Sequence, residues 1–133
     1  MGNTVEELAG KYHAAWTALD VEAIVALHTE DSVFHLHGVT EPATGHTSIR
    51  QTITALLRLV PDLHFEAKRA YVGPNHIVLE YDMSGTVGDS PFVCDGADVI
   101  AVEDGLVARK DTYLDLAAYQ RQVGPLPKLA IGV

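Results

Sequence analysis

Ser32-Val33-Phe34-His35-Leu36-His37-Gly38 follows a helical stretch and stops at a glycine, and its alternation reads as a strand over residues 32–37. Period two puts His35 and His37 on one face, so two titratable groups share it. Immediately upstream, Asp20 caps a short helix over residues 21–28, whose Ile24, Val25 and Leu27 are apolar, and Thr29-Glu30-Asp31 breaks it. Earlier still, Val5, Leu8, Tyr12, Ala15, Trp16 and Leu19 recur at three- and four-residue steps, with Thr4 and Glu7 forming a capping box. A helix pair therefore leads into the strand.

Downstream, residues 38–45 read as a loop containing Pro42. Ser48 and Gln51 then open a third helix, whose stripe of Ile49, Ile53, Leu56, Leu57 and Val60 ends at Pro61. After Pro61 the period changes to two. Leu63, Phe65, Ala67 and Tyr71 form one strand, Gly73-Pro74-Asn75 a turn, and Ile77, Leu79, Tyr81 and Met83 the return strand. Gly85, Gly88 and Pro91 mark the next connection. Two further strands, residues 92–103 and 106–113, flank the hairpin signal Asp104-Gly105, and residues 114–123 form a short last helix. Helices, a strand, a helix and an antiparallel meander, with no repeat and no strand-helix alternation, make an α+β fold.

The chain has 133 residues, 47% of them hydrophobic, which supplies a core for one domain without disulfide staples. Residues 1–123 are expected to form that domain, and residues 124–133, with Pro125 and Pro127, an extended arm. A net charge of −9 with nine Lys plus Arg argues against nucleic acid and anionic membrane surfaces, which require clustered positive charge. Cys94 stands alone, no secretory signal is recognisable, and no apolar run approaches the roughly 18 residues of a membrane span. The expected location is cytoplasmic.

In this order and spacing the chain resembles the nuclear transport factor 2-like superfamily, and within it the SnoaL-like polyketide cyclases and steroid Δ5-isomerases. The resemblance covers about residues 4–122. It rests on Tyr12-His13-Ala14-Ala15-Trp16 with Asp20, Ile24-Val25-Ala26-Leu27, and Asp31 through Gly38. Gly45, Pro61-Asp62-Leu63, Gly96-Ala97-Asp98-Val99, Asp104-Gly105 and Tyr113-Leu114-Asp115 extend it. It implies a cone-shaped domain in which a curved antiparallel sheet wraps around helices and leaves an apolar pocket for a small apolar molecule. It also implies a homodimer, and the outward candidates Val93, Val99 and Ala101 put that contact on the outer sheet face.

Carried over residue by residue, the resemblance gives Tyr12 the place of an oxyanion-stabilising tyrosine and Asp98 that of a protonated aspartic acid donating a second hydrogen bond. His35 falls at the general-base position, where the isomerases have a carboxylate. A histidine there can still move a proton near neutral pH. Asp115 resembles the acid/base carboxylate of the cyclases. Trp16, Phe34, Leu57 and Tyr113 are expected to wall the pocket, with His37 or Asp115 at its mouth. Asp111 either enters the pocket or stays outside as the salt partner of Arg109. The limonene epoxide hydrolases carry an arginine where this chain has Gly96, so epoxide hydrolysis is not implied.

Each residue also has a structural reading. Tyr12 lies on the apolar stripe of its helix, Asp115 can simply cap the last helix, and His35 and His37 can be half-buried strand residues. A His-x-His pair can bind a metal, but a site needs a third ligand, and His13, His28, His46, His64 and His76 show no metal-site spacing. No metal or other cofactor is expected. Two function classes remain: a cofactor-independent isomerase or cyclase moving a proton next to a carbonyl, and a noncatalytic binding domain of the same fold. The joint presence of Tyr12, His35 and Asp98 favours the enzyme.

Overall fold

In the computed structural model, which describes residues 2–125, the helical and strand periods resolve into ten elements. Thr4 and Glu7 form the capping box of α1 (Val5–Thr17), and the Asp20 carboxylate accepts from the Ala23 N–H to cap α2 (Val21–Ala26). The chain leaves α2 earlier than its apolar pattern suggests. Leu27 gives its carbonyl to the Val107 N–H, and β1 (His28–Leu36) begins at His28. A two-residue β2 (Ala43–Thr44) precedes α3 (Gly45–Leu59), which starts three residues before Ser48 because Gly45, at φ +85°, turns the chain into it.

The meander follows as β3 (His64–Val72), β4 (His76–Val87), β5 (Ser90–Glu103) and β6 (Leu106–Leu114), and α4 (Leu116–Val123) closes the described chain. β4 runs through Gly85, so its turn to β5 is at Gly88-Asp89. Asp104 and Gly105 both have positive φ, as the β5–β6 hairpin requires. The six strands form one curved sheet in the order β2-β1-β6-β5-β4-β3. Its pairs are antiparallel with one difference from the expected pattern: β1 lies parallel to β6, because it enters the sheet after the helices rather than through a hairpin.

One face of the sheet and the helices enclose the core. Ile49 and Ile53 of α3 are fully buried and Leu56 nearly so, with Leu57 half-buried at the edge of the same cluster. Among the described residues no helix is long and apolar enough to cross a membrane. The arm expected over residues 124–133 lies, from residue 126 onward, outside the described residues. Ile53→Ala leaves a cavity between α3 and the sheet and is expected to cost about 2–5 kcal/mol, read as a lowered urea midpoint. A loss below about 0.5 kcal/mol would mean that α3 does not pack as described.

Candidate active site

Alternation along β5 and β6 delivers two opposite charges to the inner face. Asp98 follows Cys94 and precedes Ile100 on the buried side of β5, and Lys110 and Thr112 take the buried side of β6. Their side chains meet in the core. Lys110 Nζ lies 3.5 Å from Asp98 Oδ2, and the hydroxyls of Tyr81 and Thr112 each donate to Asp98 Oδ1 at 2.8 Å. The ammonium also sits over three rings, 4.2 Å from the Trp16 centroid, 4.9 Å from that of Tyr12 and 5.1 Å from that of Phe34. Burial works against this cation, but the Asp98 carboxylate and the Tyr12 hydroxyl outweigh it and hold the Lys110 pKa above the ordinary lysine value.

Gly96 makes the cluster possible. A Cβ there would lie 2.6 Å from Cε1 of Tyr81, so the absence of a side chain is what admits the ring that reaches Asp98. No arginine fits at this position. Around the charged pair, Tyr12, Trp16, Phe65, Leu79 and Tyr81 enclose an apolar cavity of about 50 Å³ that opens past His13 and Thr17.

Tyr12 is held from behind. Its hydroxyl is 2.9 Å from His28 Nε2, and His28 Nδ1 is 2.9 Å from the Ser32 hydroxyl. Burial, with the charge of Lys110 next, pushes the His28 pKa down to about 3, so the imidazole is neutral. Either tautomer completes this chain of hydrogen bonds. With the proton on Nε2, His28 donates to Tyr12 and leaves the tyrosine O–H free for the cavity. Burial raises the pKa of Tyr12, which keeps that proton in place. The Trp16 indole N–H is buried and has no hydrogen-bond partner among the described residues.

The cavity thus brings together Tyr12, Trp16 and Asp98 from the sequence reading, and it leaves out the rest. His35 points to the opposite face of the sheet. The alternation is as expected, but Phe34 and Leu36 occupy the inner face at 2% and 3% exposure, and burying two large apolar side chains stabilises by about 1.5–3 kcal/mol each. His37 follows His35 outward, and so does Tyr113, which stacks on the His37 ring at 4.2 Å. Asp115 caps α4 by accepting from the Ala118 N–H. Phe34 stands behind Trp16 and Lys110, and Leu57 belongs to the α3 core rather than to the cavity. Asp98 Oδ1 accepts hydrogen bonds from two hydroxyls. Asp111 stays outside, clasped by Arg109.

The sequence reading missed Lys110, Tyr81, Thr112 and His28. A signal existed for Lys110: the Arg109/Asp111 pair at i, i+2 favours solvent on its own face and sends Lys110 and Thr112 to the other. A buried Asp98 also calls for a cation.

The sequence profile of the SnoaL-like domain matches residues 9–110. No curated protein matches the chain. Among solved structures, a protein with a ketosteroid isomerase-like fold from Catenulispora acidiphila DSM 44928, in complex with trimethylamine, is 22% identical with a TM-score of 0.82 over 93% of this chain and 96% of its own. A protein from Jannaschia sp. CCS1, proposed to be a SnoaL-like polyketide cyclase, is 15% identical with a TM-score of 0.80 over 92% of each chain. TerC, co-crystallised with polyporic acid, is 14% identical with a TM-score of 0.77 over 90% of this chain and 98% of its own. At these identities the likeness is one of fold.

The depressed pKa of His28 makes stability depend on pH. The unfolded chain takes up this proton near pH 6.5, whereas the folded protein refuses it until about pH 3. The contribution is therefore complete above pH 6.5 and is lost as pH falls toward 3, amounting to about 2 kcal/mol by about pH 5. Urea midpoints of the wild type should fall more steeply between neutral pH and pH 5 than those of His28→Gln; parallel curves would show that His28 is not buried neutral.

Proposed function

The chain belongs to the SnoaL-like domain family, and from that premise and its cavity we propose that it is a cofactor-independent acid/base enzyme of the cyclase or isomerase type, moving a proton next to a carbonyl of a small apolar substrate. The observation that carries this reading is the convergence of Asp98, Lys110 and Tyr12 on one apolar cavity. A carbonyl oxygen placed there accepts from the Lys110 ammonium and the Tyr12 hydroxyl.

Asp98 is the base. Its Oδ1 is engaged by Tyr81 and Thr112, while Oδ2 has, among the described residues, only the longer contact to Lys110. As Oδ2 takes the proton from the carbon next to the carbonyl, the carboxylate becomes neutral and the enolate oxygen becomes the new counter-ion of Lys110. The ammonium keeps one anionic partner throughout, so the buried charge is not separated and little reorganisation is needed. Returning the proton to another carbon gives isomerisation; attack of the enolate carbon on a second carbonyl breaks its C=O π bond, and the resulting alkoxide takes the proton back from Asp98 to complete ring closure and restore the carboxylate.

The cavity of about 50 Å³ holds the reacting end of a substrate, whose remainder extends past His13 and Thr17. A cationic ligand is disfavoured, because Lys110 already occupies the ring faces of Tyr12, Trp16 and Phe34. A homodimer through the outer sheet face is supported by the exposed Val93, Val99 and Tyr113. Sedimentation should give twice the chain mass, and Val99→Asp should halve it; a wild-type monomer at micromolar concentration contradicts this contact.

Exchange of solvent deuterium into 2-tetralone, followed by NMR, tests the catalytic reading. The wild type should accelerate exchange, Asp98→Asn should abolish it, and Lys110→Met should lower it about 100- to 1,000-fold. Each single variant leaves a buried group without its partner, so the Asp98→Asn/Lys110→Met double variant, folded by circular dichroism, serves as the inactive reference. Binding of 2-tetralone by the wild type without exchange would make the protein a noncatalytic binder.

A further inference from the structure

The outer face of the sheet carries a second cluster that the cavity does not use. His35 on β1 is registered directly against Asp111 on parallel β6, and alternation adds His37 to the same face. The His35 and His37 rings are 3.7 Å apart, His37 Nε2 is 2.8 Å from Asp111 Oδ1, and one donor atom from each of the three residues lies within 4.8 Å of the other two. We propose that His35, His37 and Asp111 form a binding site for a divalent transition-metal ion of the zinc type, bound by two imidazole nitrogens and one carboxylate oxygen.

The donor set selects the ion. Imidazole with carboxylate suits zinc and its neighbours, whereas calcium and magnesium take oxygen ligands. Three protein ligands leave an open position for water or another ligand. The strand register places the three side chains, so the arrangement does not depend on a loop. Two surrounding residues already hold the ligands in place. Arg109 holds the Asp111 carboxylate with two bonds, Nε donating to Oδ2 at 2.8 Å and Nη2 to Oδ1 at 3.0 Å, while Oδ1 also meets His37, and Tyr113 stacks on the His37 ring with planes 15° apart.

A hydrogen bond explains His37 and Asp111 but not His35, whose ring nitrogens have no hydrogen bond among the described residues. Replacing the shared proton by an ion is a matter of side-chain adjustment, in which donor atoms that lie within 4.8 Å of one another draw to about 3.3 Å apart. Bonds of about 2.0–2.1 Å in tetrahedral geometry set ligand atoms about 3.3 Å apart, so the 2.8 Å contact widens by about half an ångström. In the single chain the side chains of His37 and Asp111 are 31% and 16% exposed, which leaves a path for the ion from solvent that a second copy on the outer sheet face would close. The third ligand was invisible to a search for histidine spacing, because it comes from a strand 74 residues away in sequence.

Isothermal titration of chelator-treated protein with ZnCl₂, together with the visible absorption of bound Co²⁺, tests the site. One ion should bind per chain, and His35→Ala, His37→Ala and Asp111→Asn should each weaken binding at least about tenfold while circular dichroism stays unchanged. No saturable binding by the wild type, or affinity retained within about threefold in any one of these variants, overturns the proposal.

Discussion

An ammonium and a carboxylate taken out of water cost several kcal/mol each, and their attraction offsets this only if the remaining lone pairs and protons are also satisfied. Lys110 and Asp98, at 4% and 5% exposure, meet that condition in part: Asp98 Oδ1 accepts from two hydroxyls and three rings face the ammonium, contacts drawn from five different elements, while Oδ2 has the 3.5 Å contact to Lys110. β4 supplies Tyr81, β5 supplies Asp98, β6 supplies Lys110 and Thr112, α1 supplies Tyr12 and Trp16, and β1 supplies Phe34. Each must be in register for the others to be stable. The constraint that holds the sheet and the first helix together is thus the same one that leaves two polar groups facing an apolar cavity.

The alternation of β1 and β6 gives the sheet two distinct chemistries. On β6, Lys110 and Thr112 point into the core while Arg109, Asp111 and Tyr113 point out. On β1, Phe34 and Leu36 wall the core while His35 and His37 face outward. Since β1 and β6 are parallel neighbours, both sets are brought together by one pairing. A one-residue slip would exchange the faces of the strand that moved, burying the histidines in the case of β1 and exposing Lys110 in the case of β6.

Much of the fold could be read from the chain because its signals are local. The capping box at Thr4 and Glu7, the cap at Asp20, the α3 stripe and the Asp104-Gly105 turn each depend on a few adjacent residues. The parallel β1–β6 pair was not legible, since it joins segments more than seventy residues apart and leaves no periodic trace. The site was legible in part for the same reason. Tyr12, Trp16 and Asp98 stand out as polar or aromatic groups on apolar faces, whereas Lys110 looks like any surface lysine until its strand is given a direction. His35 followed the family's base position rather than the greater apolar weight of Phe34 and Leu36.

In the proposed function the buried Lys110 ammonium, paired with Asp98, is the group that meets an oxygen-bearing ligand in the cavity. NMR of the lysine side-chain ammonium groups, with Lys110 assigned through Lys110→Arg, tests it directly. The account predicts a solvent-protected Lys110 ammonium signal at neutral pH that shifts saturably as para-nitrophenolate is added, while the signals of exposed lysines such as Lys11 stay in place. A Lys110 side chain without a protected ammonium signal, or one unmoved by a phenolate that binds, would contradict it.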